Sequence, residues 1–265
     1  MLKFSVVTIT YNSERYLEEA INSVVSQGYQ DLEYIIVDGG STDGSLSVIR
    51  KFAATDSRIR WISEPDMGIS DAMNKGIKLS TGDVIAHLHS DDAYLPGTLR
   101  RVAEIFQTNP PVKWVTGLLR VIDGSGAAIY DTTLKASYSF MSLIARNLVG
   151  HPATFIRKEI FDEVGGFDTN LRYAMDYDLW LRIASRYEPL AINQVFAKFR
   201  SHQDSLSSRE LLNAIDEEFS IKKAYIKKAG FLTLLRAYLI LQKNKLAIHL
   251  GLHNILKTFK QRFHL

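Results

Sequence analysis

The chain has 265 residues, 46% hydrophobic and 23% charged, with a formal net charge of +3. That length supports one full core plus an appendage, and the lack of cysteine excludes disulfides and thiolate metal sites, in keeping with a reducing cytosol. Met1 to Phe4 leads straight into a strand, so no signal peptide is expected, and the apolar run Phe231 to Gln242 is too short and contains Arg236, so it does not span a bilayer.

Strand and helix patterns alternate through the first half. Ser5 to Thr10 reads as a buried parallel strand, and Asn12 or Ser13 caps a helix with Leu17, Ile21, Val24 and Val25 on one face. Tyr34 to Val37 is a second buried strand, ending in the glycine-rich loop Asp38 to Gly44. A helix through Val48, Ile49 and Phe52, a strand at Ile59 to Ile62, a helix at Ser70 to Leu79 and a strand at Asp83 to Leu88 follow. A further helix starts near Pro96 and Gly97. Short connections between alternating elements predict an α/β fold with a mostly parallel, doubly wound sheet flanked by helices. Trp114 to Val121 is a strand leading to a hairpin turn at Asp123 and Gly124. Residues 138–148 are expected to be helical, 153–157 a strand, Asp176 to Arg186 a helix, Leu190 to Phe199 a strand, and the chain from Ser208 onward helical. The expected division is one domain over residues 1–207 and a helical C-terminal region over 208–265.

Asp91 and Asp92 follow the fourth strand directly. Adjacent carboxylates repel unless something positive faces them, and a hard divalent cation with substrate phosphates meets that need. Alternatively Asp92 caps the next helix and Asp91 is solvated. Ligands of open α/β sheets bind at the carboxyl ends of strands. There Thr10 and Tyr11 sit beside Asp38. Tyr11 stacks on a flat base or packs on the rim, and Asp38 accepts from a base or ribose or caps its own turn. Asp71 and Asn74 share a helix face and either touch sugar hydroxyls or, for Asp71, complement the helix dipole. Asp176 at a helix start is a candidate general base or an N-cap. No Gly-x-Gly-x-x-Gly and no Gly-x-x-x-x-Gly-Lys-Ser/Thr loop is present, which disfavours dinucleotide oxidoreductases and P-loop NTPases.

In order along the chain stand Ser5 to Asn12, Val37 to Gly44, Glu64-Pro65-Asp66-Met67-Gly68, Ser90-Asp91-Asp92, Gly165-Gly166-Phe167-Asp168 and Asp176-Tyr177-Asp178-Leu179. Over residues 3–205 this series resembles the family 2 glycosyltransferases, which have the Rossmann-like GT-A fold. The resemblance implies inverting transfer of a sugar from a nucleoside diphosphate sugar to a saccharide or lipid-linked acceptor. It implies that Tyr11 and Asp38 hold the base and that Asp91 approaches the ribose or donor sugar. Asp92 would bind Mg²⁺ or Mn²⁺ on the diphosphate, His202 would approach the same group as a metal-side residue, and Asp176 would take the acceptor proton. His151, between Gly150 and Pro152, would line the sugar pocket. The chain departs from the family pattern in having His89 where an acid is frequent, Gly39 where a second Asp is frequent, and Met175 ahead of Asp176.

Residues 219–265 carry ten basic and no acidic residues, while residues 1–218 have a net charge of −7. With Leu234, Leu239, Leu246 and Leu250 interspersed, the basic region reads as amphipathic helices on an anionic membrane surface, or as a packed hairpin with a solvated basic face. The implied place is the cytoplasmic face of the cell membrane, with a task in surface polysaccharide or glycolipid assembly. Two other readings are a nucleotidyltransferase that makes nucleotide sugars and a non-catalytic nucleotide- or RNA-binding module. Few aromatics accompany the basic tail, so no nucleic-acid partner is expected.

Overall fold

Every residue of the first two strands is buried, β1 (Phe4–Thr10) and β2 (Leu32–Asp38), as strands covered on both faces must be. Odd and even positions separate two cores. Val7, Ile9, Ile35 and Val37 enter one; Phe4, Val6, Tyr34 and Ile36 enter the other. A computed structural model describes residues 2–202, 210–226 and 242. The elements after β1 are α1 (Glu14–Val25), β2, α2 (Ser45–Ala53), β3 (Ile59–Ser63), α3 (Ile69–Leu79), β4 (Val84–His87), β5 (Ala93–Tyr94) and α4 (Thr98–Thr108). Then come β6 (Trp114–Ile122), β7 (Ala128–Asp131), α5 (Phe140–Ala145), a 3₁₀ turn (His151–Ala153) and β8 (Thr154–Arg157). The last are α6 (Glu159–Val164), α7 (Met175–Ala184), β9 (Leu190–Arg200) and α8 (Leu211–Ile226).

The sheet runs β3-β2-β1-β4-β8-β6-β9-β5, with β7 as a hairpin partner of β6. Strands β1 to β4, β6 and β9 point one way and β5, β7 and β8 the other, so the sheet is mostly parallel, as expected. Parallel register levels the carboxyl ends: Thr10 lies beside Asp38, and Asp38 beside Ser63.

Three elements differ from the sequence reading. The helix expected over 138–148 is confined to Phe140–Ala145, and the short α6 and β5 carry too little periodicity to be read in advance. Helix α8, assigned to the appendage, packs into the core formed with Val7, Ile35 and Trp180: Ile221 is buried there, and Phe219 and Tyr225 lie against it. The expected boundary at 207/208 and the amphipathic helices beyond residue 226 lie outside the described residues, apart from Gln242. No helix among the described residues is long and apolar enough to cross a membrane.

Candidate active site

At the end of β1 the Gly39 N–H donates to the Thr10 carbonyl at 2.9 Å. Asn12 takes a left-handed backbone (φ 48°), its Oδ1 accepts the Thr42 N–H at 2.8 Å, and the chain turns so that Tyr11 is left 62% exposed. Thr10 is thus buried at the strand end while the Tyr11 ring stands exposed beside it. Asp38 is placed otherwise than expected. It is fully buried, its Oδ2 accepting from Gly40 N–H, Ser41 N–H and the Ser63 hydroxyl, and its Oδ1 from the Ser41 hydroxyl. Its carboxylate closes its own turn and shapes the rim; it does not face a base.

Asp71 and Asn74 are also corrected. The Asn74 amide exchanges two 2.8 Å hydrogen bonds with the backbone of Phe167, and Gly166 leaves the space that its Oδ1 fills. Asp71 accepts the Met67 N–H at 3.1 Å and pairs with Lys75 at 3.4 Å, while Lys75 also reaches Glu64. Asn74 is committed to fixing the Phe167 loop, and Asp71 is turned to the Met67 N–H and Lys75.

The two adjacent aspartates have separate surroundings. Asp92 is buried and its Oδ1 accepts the backbone N–H of Arg200 at 3.0 Å; burial, then the charge of Asp91, pushes its carboxyl well above the usual range. Asp91 is 28% exposed and its Oδ2 lies 3.0 Å from His202 Nε2. The ligand pair expected as Asp92 with His202 is therefore Asp91 with His202 in space. Arg200, not anticipated from the sequence, braces the turn from behind. It is 2% exposed, donates to the Asp91 carbonyl at 2.9 Å, pairs with Glu19 and lies over the Tyr16 ring. Its only sequence signal is its spacing, two residues before His202 at the end of β9. Among the described residues no group of three or more His, Asp or Glu side chains is arranged to hold an ion unaided. Two ligands from the protein, with phosphate and water completing the shell, fit Mg²⁺ or Mn²⁺ bound together with a diphosphate.

Asp176 stands in the first turn of α7, its side chain 23% exposed. Burial first, then the charge of Glu218, raises its carboxyl to about 6. His151 Nδ1 lies 3.9 Å from Asp176 Oδ2, and the imidazole, 10% exposed, packs against Phe167, His89 and Trp180. Burial and then His89 and His87 hold His151 well below its ordinary value, so it is neutral at pH 7 and brings no charge to the neighbouring carboxylate. It lies beside Asp176 and is largely enclosed by the core. Asp178 points elsewhere: it pairs with Arg182 at 2.8 Å, whose guanidinium ties down the carbonyls of Val164 and Gly166. Glu217 of α8 accepts the N–H groups of Arg172, Tyr173 and Ala174. Glu217 and Glu218 were not anticipated either; their one signal is that they are the last acidic residues before the basic tail.

The model of the family described as Glycosyl transferase family 2 matches residues 5–165. An uncharacterized glycosyltransferase of Nostoc sp. is 41% identical over 176 residues, covering 63% of this chain and 54% of that protein. The chain therefore spans about half the length of that relative. The mannosyltransferase PcManGT from Pyrobaculum calidifontis, in complex with GDP-Man and Mn²⁺, superposes with a TM-score of 0.67 at 19% identity, covering 100% of this chain and 81% of that one. S. aureus TarS 1-349 in complex with UDP-GlcNAc gives a TM-score of 0.63 at 18% identity, covering 83% of this chain and 66% of that one. At such identities the two structures establish the fold, which is GT-A. On its family match, its fold and its relatives, the chain belongs to glycosyl transferase family 2.

Proposed function

We propose that the crevice at the carboxyl ends of β1, β2 and β4 binds a nucleoside diphosphate sugar, and that Asp176 activates a hydroxyl of a saccharide or lipid-linked acceptor. The acceptor oxygen forms a bond to the anomeric carbon from the face opposite the diphosphate. The bond from that carbon to the diphosphate oxygen breaks, the diphosphate leaves with the electron pair, and the hydroxyl proton passes to Asp176, so the anomeric centre inverts. The observation that carries this reading is the carboxyl of Asp176, raised to about 6 by burial, in the first turn of a helix whose N-cap residue, Ala174, donates its backbone N–H to Glu217 of α8. A base with that proton affinity is ionised at neutral pH yet still takes a proton in the transition state. Asp91 and His202 would hold Mg²⁺ or Mn²⁺, which when bound supplies positive charge against the leaving diphosphate. Tyr11 stacks on the base. The GDP-Man and UDP-GlcNAc of the two structural neighbours support a donor of this class.

The basic residues of 219–265, interleaved with leucines, support contact with an anionic membrane at its cytoplasmic face and a place in surface polysaccharide or glycolipid assembly. Calorimetric titration of the chain with UDP, GDP and dTDP, with and without Mn²⁺, tests the donor site. Metal-dependent binding that is lost in Asp91→Asn is the expected result; a folded chain that binds none of them overturns the proposal.

A further inference from the structure

We propose that Asp66 selects the base of the donor and that the base is guanine. This rests on reading the crevice as the donor site. The ends of β1 and β2 meet at Thr10 and Asp38, and the next residue of β2's loop, Gly39, has no side chain. The space a Cβ would take there is occupied by Asp66 Oδ2, and the same position lies 3.5 Å from Cδ2 of Tyr11. A carboxylate and an exposed aromatic ring therefore stand side by side across a bare stretch of backbone. Asp38, the other carboxylate at this edge, is consumed by its turn.

Asp66 is held but not neutralised. Its Oδ1 accepts the Gly68 N–H at 2.8 Å, which fixes the carboxylate plane. The nearby Lys75 is engaged by Glu64 at 2.9 Å and Asp71 at 3.4 Å, and among the described residues no cation pairs with Asp66. An ionised carboxylate accepts at both oxygens and donates at neither. A base stacked on Tyr11 presents its hydrogen-bonding edge to this group. Guanine offers two adjacent donors there, N1–H and the exocyclic N2 amino group. Uracil and thymine offer one N–H flanked by carbonyl oxygens, and adenine and cytosine set a ring-nitrogen acceptor beside the amino group. Each of those four turns an acceptor lone pair toward a carboxylate oxygen. Only guanine matches both oxygens, in the paired geometry that makes charge-assisted hydrogen bonds strong.

The test is titration of the full chain with GDP, UDP and xanthosine diphosphate in Mn²⁺, for the wild type and Asp66→Asn, with thermal melts to show that both are folded. The wild type is expected to bind GDP at least about tenfold more tightly than UDP. Asp66→Asn is expected to lose that preference and to gain affinity for xanthosine diphosphate, because a carboxamide accepts from N1–H and donates to the O2 of xanthine. A wild type that binds UDP as tightly as GDP overturns the inference and leaves the donor site standing. Equal weakening of GDP and UDP by Asp66→Asn also overturns it and assigns the carboxylate to the ribose. No binding of any nucleotide by the folded wild type overturns the donor-site reading, and the choice of base falls with it.

Discussion

Glu217, on α8, accepts the backbone N–H of Ala174 at 2.7 Å, two residues before Asp176. Helix starts leave N–H groups unsatisfied, and Ala174 at the N-cap of α7 has no side chain able to accept one. A residue more than forty positions along the chain does so instead, accepting also from Arg172 and Tyr173. The region that sequence periodicity assigns to an appendage thus begins against the turn that carries Asp176.

Glu217→Ala is therefore expected to lower kcat by roughly tenfold while leaving the dissociation constant for nucleoside diphosphate unchanged, and to cost about 1–2 kcal/mol of stability, the range for a lost helix cap. Glu217→Gln, which still accepts, should recover most of both losses. Steady-state kinetics beside donor titration separates the two effects. A loss of donor binding as large as the loss of kcat would instead mean general unfolding of the site.

The acid limb of the pH–rate profile should report Asp176. The ionised carboxylate is the active form, so the rate falls about tenfold per pH unit below the value of about 6. Glu218 contributes to that elevation after burial, so Glu218→Gln should move the limb to lower pH. Asp176→Asn should cost about 10²–10⁴ in kcat. Its effect on stability has the opposite sign. The folded value lies above the ordinary 3.8, so folding disfavours the charged form, and the penalty grows as pH rises from about 4 to about 6. The Asn variant should be more stable by up to about 3 kcal/mol at pH 8 and no more stable at pH 4. Urea midpoints at the two pH values decide this.

How much of the site was legible follows from what each residue touches. β1, β2 and α1 were readable because burial on both faces of a strand, or on one stripe of a helix, is written in local residue order. Tyr11, Asp91, His202 and Asp176 were readable as chemical types at element ends. The spacing of Asp71 and Asn74 correctly put them on one helix, but nothing local shows that the partner of Asn74 is Phe167, 93 residues away. Arg200 and Glu217 are ordinary charged residues until the fold sets them behind Asp91 and Ala174. The placements that differ from the sequence reading were decided by long-range hydrogen bonds; the level strand ends beside Tyr11 and Asp38 follow from the parallel register.

The metal response should separate the two adjacent aspartates. Asp91 faces His202, whereas Asp92 accepts from the Arg200 backbone. Asp91→Asn should abolish the Mn²⁺-dependent gain in nucleotide affinity without unfolding the protein. Asp92→Asn should retain it, since a carboxamide oxygen still accepts the Arg200 N–H. His202→Ala should weaken the gain. Titrations at a series of Mn²⁺ concentrations measure it, and retention in Asp91→Asn with loss in Asp92→Asn would reverse the assignment.

At the opposite ends of the strands, Glu33 ties the sheet to the loop before β4. Its carboxylate accepts from the Ser5 hydroxyl at 2.5 Å, from Thr81 N–H at 2.5 Å, from the Thr81 hydroxyl at 2.9 Å and from Gly82 N–H at 3.1 Å, with Lys3 at 3.5 Å. Burial alone would raise it, but these donors and the lysine outweigh burial and hold it at about 2, against an ordinary 4.5. A depressed folded value means the stabilisation is full above about 4.5 and is lost as pH falls through about 2. The shift corresponds to about 3 kcal/mol. Glu33→Gln should therefore lower stability by roughly that amount at pH 7, and the gap from the wild type should close as pH falls toward 2. Urea titrations at pH 7 and pH 3 measure it; a gap that stays constant with pH would show that Glu33 acts through shape and hydrogen-bond count and not through its charge.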